Sequence, residues 1–294
     1  MKIKIIILSL LISFFPSKNL WSADQTNTSI DLHNQNYSPY RNQYYFKLTP
    51  TFDSQFCHAM TLANLVGQVA NTAISPDDIA YQSSNADIYN EQVGQLPFGI
   101  ELSGFLKDDW EILNEVGFCP QDDVNSFLKT LAYEGNENLT YSATQKLYSY
   151  GMSQTDWKVS DMAKFLNGIC KNRIIINNFK LVTYSIYGDQ FRSTERRQQF
   201  FKDKIDQTLN KSHYVALLYQ GHYVTIVGKT AEQRYLIQDS IAQSEWITHS
   251  NFKSRQSDFA QHGGAIEFID EHLQAWPMAS LLNYAEEISL LEEN

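Results

Sequence analysis

Three side chains in this sequence have the types and order needed for nucleophilic acyl transfer. Cys57 stands in DSQFCHAM, His222 in QGHYV and Asp239 in LIQDS. A thiolate attacks a carbonyl carbon, an imidazole takes and returns the proton, and a carboxylate holds the imidazole in one tautomer and stabilises its charged form. Cys57 sits where a helix should begin. Residues 58–70, HAMTLANLVGQVA, are apolar or small nearly all round, the pattern of a buried helix, with Asp53 and Ser54 ahead of it as cap residues. A helix start carries about half a positive charge and free N–H groups, and both favour thiolate over thiol. The plain alternative is a buried structural cysteine, common in apolar helices.

The elements that would carry the other two groups are strands. HYVALLY (213–219) and HYVTIVGK (222–229) are β-favouring runs joined by Gln220-Gly221, a hairpin signal, and RYLIQD (234–239) reads as a third strand. Neighbouring antiparallel strands would bring the Asp239 carboxylate beside the His222 ring, 17 residues upstream. Residues 265–269 read as a fourth strand and 173–179 as a β-rich run. From Trp276 the tail reads as an acidic amphipathic helix. Before the strands the texture is helical. Ser75-Pro76-Asp77-Asp78 is a start signal for a short helix ending near Tyr81. Residues 101–116 read as a helix stopped by Gly117, and 123–170 look mostly helical.

Several short stretches, in order, resemble the papain-like cysteine peptidases. FCHAMTLANLV is similar to the nucleophile helix of that family and ISPDDIAYQ to its serine-led turn. EVGFCP resembles a later helix end, and GHYVTIVGK followed by YLIQDS resembles the strands bearing the base and its orienting partner. The likeness covers most of residues 50–245. It implies an α+β fold, with a helical amino-terminal lobe, an antiparallel β-sheet carboxy-terminal lobe and a cleft between them. It implies Cys57 as nucleophile, His222 as base and later acid, and Asp239 where the family has an orienting Asn. The Cys57–His222 spacing of 165 residues exceeds the usual ~130–150, which implies an insertion within 120–212. Two features depart from the pattern. Thr51 stands where the family's oxyanion-hole glutamine would be, so Gln55 is the expected side-chain donor, with Thr51 the other candidate. Such a donor is worth about 3 kcal/mol of transition-state stabilisation. The aromatic shield after the orienting residue is missing, since Ile241 follows Ser240, and His58 replaces an aromatic ring beside the nucleophile.

Composition bounds the partners. Hydrophobic residues at 43% and charged residues at 19% are a globular balance, and the net charge of −10 opposes phosphate, which excludes nucleic acid. Lys2 and Lys4, the apolar run 5–15 and the small pair Ser22-Ala23 have the order of a secretory signal, so residues 1–23 are expected to be removed and the protein to be secreted or periplasmic. No membrane attachment is expected after that cleavage. Residues 24–50 read as an extended polar and aromatic arm, 51–172 as the mainly helical lobe, and 173–294 as the mainly antiparallel β lobe ending in the acidic helix. Of three cysteines, Cys119 and Cys170 are available to pair, which leaves Cys57 free; two buried thiols are the alternative. No metal-ligand spacing and no phosphate loop occurs, so no cofactor is expected.

The expected function is therefore that of a secreted, monomeric cysteine peptidase hydrolysing peptide or protein substrates through a Cys57 thioester. The alternatives are a silent papain-like module that holds peptide without cleaving it, and a transglutaminase-like acyl transferase, whose Cys and His usually lie closer along the chain.

Overall fold

A computed structural model describes residues 30–31, 57–86, 93–97, 104–132, 143–186, 193–240, 250–269 and 273–294. In chain order the elements are β1 (Ile30–Asp31), α1 (Cys57–Ala70), α2 (Pro76–Asn85), a short 3-10 turn (Val93–Gln95), α3 (Leu106–Val116), α4 (Gln121–Ala132), α5 (Ala143–Ser153) and α6 (Val159–Ile169). There follow β2 (Phe179–Ser185), α7 (Thr194–Asn210), β3 (Val215–Tyr219), β4 (His222–Lys229), β5 (Arg234–Gln238), α8 (Ser250–His262), β6 (Glu267–Phe268), β7 (Leu273–Pro277), α9 (Met278–Tyr284) and β8 (Ala285–Glu293). The class is α+β. The sheet is antiparallel throughout, in the order β2-β8-β3-β4-β5-β7-β6. The two-residue β1 pairs with Gly228 and Lys229 of β4, beyond the point where β3 begins.

The sheet is covered on both faces. Tyr223, Val227, Leu236, Ala275 and Leu291 join α1–α6 in one core. Val215, Leu217, Val224, Ile226, Tyr235, Trp276 and Ile288 join α7, α8 and α9 in a second. The carboxy-terminal region thus contributes a helical layer of its own besides the sheet. Alternate residues of β4 enter different cores, as the two-residue period of a strand requires.

Local signals explain the element boundaries. Ser75 caps α2, its Oγ accepting from the Asp78 N–H at 3.3 Å with Pro76 at the first position. The helix α2 runs to Asn85, past the expected end at Tyr81. Gly117, at φ 86°, ends α3 and donates to the Leu113 carbonyl. Gly104 and Phe105 are not helical, so α3 begins five residues later than the periodicity suggests. Gln220 and Gly221 both take positive φ, 47° and 72°, the tight turn whose twist suits a two-residue hairpin.

Two expectations are corrected. The β-rich run 173–179 contributes only an isolated bridge, Ile174 to Phe118, and the strand starts at Phe179. Arg173 is instead drawn to the buried Asp78, to which it donates at 2.7 and 2.8 Å. The acidic carboxy-terminal helix is also wrong beyond Tyr284. Trp276 lies in β7, only 278–284 is helical, and Ala285–Glu293 is β8, an interior strand between β2 and β3. A strand buried on both faces loses strict alternation, so Ile288, Leu290 and Leu291 mimic a helical stripe; pairing on two sides then overrides local propensity.

Candidate active site

The site forms where α1 packs on β4. Cys57 occupies the first position of α1 and is buried at 7% exposure. Two turns on, Asn64 Nδ2 donates to Thr225 Oγ1 at 3.0 Å, a buried bond that fixes the helix along β4. That bond sits three residues from His222, which opens β4 directly after the hairpin turn. Asp239 follows the end of β5, and the β4–β5 register (Thr225 opposite Gln238) carries its carboxylate to the His222 ring. His222 Nε2 donates to Asp239 Oδ1 at 2.8 Å, with the carboxylate wholly shielded from water. With Nε2 committed, Nδ1 is the nitrogen left for the Cys57 sulfur, which is hydrogen-bonded to His222.

Electrostatics favour a thiolate–imidazolium pair. Burial alone would raise the Cys57 thiol. The hydrogen bond and charge of His222 outweigh it, helped by the charge of His58 and the Tyr223 backbone N–H, and carry the thiol below its ordinary value. Burial alone would lower His222. The Asp239 charge and hydrogen bond, with the hydrogen bond and charge of Cys57, push it up to about 9. A lowered thiol beside a raised imidazole favours the anionic sulfur with the cationic ring.

The structure therefore brings Cys57, His222 and Asp239 into one hydrogen-bonded chain. Gln55 and Thr51 lie outside the described residues, as do Asp53, Ser54, the signal 1–23 and all of the arm 24–50 except Ile30 and Asp31. Cys119 and Cys170 are joined in a disulfide, 51 residues apart, and Cys57 is free. Asp78 lies beside that bridge, and its carboxylate is engaged by Arg173.

Several side chains besides Cys57, His222 and Asp239 also surround the site. Tyr219 pairs with His222 across the hairpin, and their rings meet edge-on at 6.4 Å. Tyr219 also packs on Trp276 and Phe259, at 4.8 and 5.8 Å, which holds an aromatic cluster against the His222 ring. The signal was present, since Tyr219 stands directly before Gln220-Gly221 and a two-residue turn places it opposite His222. His58, next to Cys57 in the chain, and Asp109 form a buried pair, Nδ1 to Oδ2 at 2.5 Å. Nothing in the linear order links these two, 51 residues apart.

The chain matches no known protein-family description, and no curated protein sequence matches it.

Proposed function

We propose that the protein is a secreted papain-like cysteine peptidase that cleaves peptide bonds through a Cys57 thioester. The observation that carries this reading is the buried chain Cys57–His222–Asp239, with the sulfur lowered, the imidazole raised and the free ring nitrogen facing the sulfur. A helical layer carrying the thiol against an antiparallel sheet carrying the base is consistent with it.

In this mechanism the Cys57 thiolate attacks the substrate carbonyl carbon, and the C=O electrons move onto oxygen. The Cys57 backbone N–H, at the first position of α1, is the first donor to that oxyanion, and Gln55 is the proposed second. The intermediate collapses as the C–N bond breaks, and His222 gives its proton to the departing amine. Now neutral, His222 takes a proton from water, whose oxygen attacks the thioester carbonyl. The acid product leaves and the thiolate–imidazolium pair is restored. Asp239 keeps Nε2 protonated throughout and stabilises the imidazolium. The Cys119–Cys170 disulfide supports an oxidising compartment, in keeping with the secretory signal order of residues 1–23. Among the described residues no helix is long and apolar enough to cross a membrane.

The test is mass spectrometry after treatment with the epoxide inactivator E-64. A single adduct on Cys57 that is lost in His222→Ala is the expected result. No adduct on a reduced, accessible Cys57 would refute the peptidase reading in favour of a silent peptide-binding module.

A further inference from the structure

The mechanism above leaves one buried ionisable pair unused. His58 follows Cys57 in the first turn of α1, and Asp109 lies in the first turn of α3. His58 is 2% exposed and Asp109 is fully buried, with Nδ1 and Oδ2 at 2.5 Å. The chain before α3 closes over them. A Cβ at Gly104 would lie 2.8 Å from His58 Cε1 and 3.1 Å from both His58 Nδ1 and Asp109 Oδ1, so only glycine fits without displacing the pair.

The pair is costly as a structural device. Among the described residues His58 Nε2 and Asp109 Oδ1 are buried without hydrogen-bond partners. Each such group loses hydration without a replacement bond, and apolar residues of similar volume are often neutral or better replacements for a buried ion pair. The charge pattern of α1 points to what the cost supports. Helices α2, α3, α4, α6 and α7 carry acids in their first turns; α1, like α5, α8 and α9, carries none, and its first turn holds a histidine. The first turn of α1 thus holds an imidazole directly after Cys57, with Asp109 as its counter-charge.

The neighbouring ionisable groups are accounted for. From α1 the facing group is Cys57, and from α3 it is Asp109. From β4, His222 and the Tyr223 backbone engage Cys57, while from β3 Tyr219 lies against His222. From α2, Asp78 is engaged by Arg173, and Asp77 lies near Tyr81.

We propose that His58 and Asp109 form a second imidazolium–carboxylate unit, a positioning pair whose positive ring acts with His222 on the Cys57 sulfur. Asp109 keeps the His58 ring charged and anchors the start of α1 to α3. The inference rests on the reading of Cys57 and His222 as the reacting pair.

The test is the pH dependence of Cys57 alkylation by iodoacetamide. It is a clean readout because the other two cysteines are in the disulfide. In the unmutated protein the rate should inflect below the pH at which an ordinary cysteine ionises. His58→Gln and Asp109→Asn should each raise the inflection by about one pH unit, a loss of about tenfold in rate on its acid side. The double variant should match Asp109→Asn, since both leave neither ring charge nor carboxylate, whereas His58→Gln keeps the Asp109 carboxylate and should shift the inflection at least as far. Unchanged profiles in folded variants would overturn the proposal. Should the variants not fold, nitrogen NMR of the unmutated protein decides. A doubly protonated His58 at pH 7 supports the pair, and a neutral ring overturns it. His222→Ala separates this from failure of the peptidase reading. If that reading is wrong, His222→Ala leaves the profile in place while His58→Gln still moves it.

Discussion

Replacing Asp239 with asparagine removes the charge behind His222 and little else. The side chain keeps its shape, and its amide oxygen can still accept from Nε2 at the 2.8 Å the carboxylate holds. Raising His222 from an ordinary value near 6.5 to about 9 corresponds to about 3 kcal/mol, at about 1.4 kcal/mol per pH unit. Burial opposes that rise, and the Asp239 charge is the largest contribution in its favour, ahead of the hydrogen bond and of Cys57. With the charge gone, the ring should titrate about one to two pH units lower. The assay is the rate of inactivation by E-64 as a function of pH, because opening its epoxide draws a proton from the imidazolium. The unmutated protein should give a bell, rising as Cys57 ionises and falling near pH 9 as His222 loses its proton. In Asp239→Asn the basic limb should move to about pH 7–8, and the rate at pH 8.5 should drop by about three- to twenty-fivefold. A basic limb that stays near 9 in a folded variant would refute the assignment of that charge to the carboxylate.

Other substitutions test the framework that holds the site. Arg173→Met strands the fully buried Asp78 carboxylate and should cost about 3–5 kcal/mol in urea unfolding; a loss under about 1 kcal/mol would show that Asp78 is satisfied without it. Reducing the Cys119–Cys170 bridge, which closes a separation of 51 residues, should lower stability by about 4 kcal/mol, read as a shift of the denaturation midpoint with and without reductant. Gly221→Ala should cost only about 1 kcal/mol, since φ is 72° but the added Cβ meets nothing within 4 Å. Gly117→Ala should cost more, because φ is 86° and the Cβ would lie 2.8 Å from Ile175 Cδ1 and 3.0 Å from Arg173 Cβ; equal melting temperatures for the two variants would contradict this.

The order of residues along the chain determined what local physics can write. The apolar run after Cys57 is a helix because no polar face interrupts it. The Gln220-Gly221 step is a hairpin because Gly221 takes positive φ without a side-chain penalty and the flanking β-favouring runs pair on either side, and the hairpin fixes His222 at the head of β4. Asp239 was legible because β4 and β5 are neighbours with a short turn, so their pairing follows from chain length alone. The tertiary structure decided everything that depends on distant partners. β8 is a strand because β2 and β3 offer hydrogen bonds on both its edges, which its own residues do not reveal. Asp109 became the partner of His58, rather than one more acid at a helix start, because α3 packs on α1 and Gly104 lets the chain close over both. Local sequence specifies conformation through short-range sterics and hydrogen bonds. The charge environment of a buried sulfur is set instead by whichever groups the packed elements bring within a few ångströms, and those come from any part of the chain.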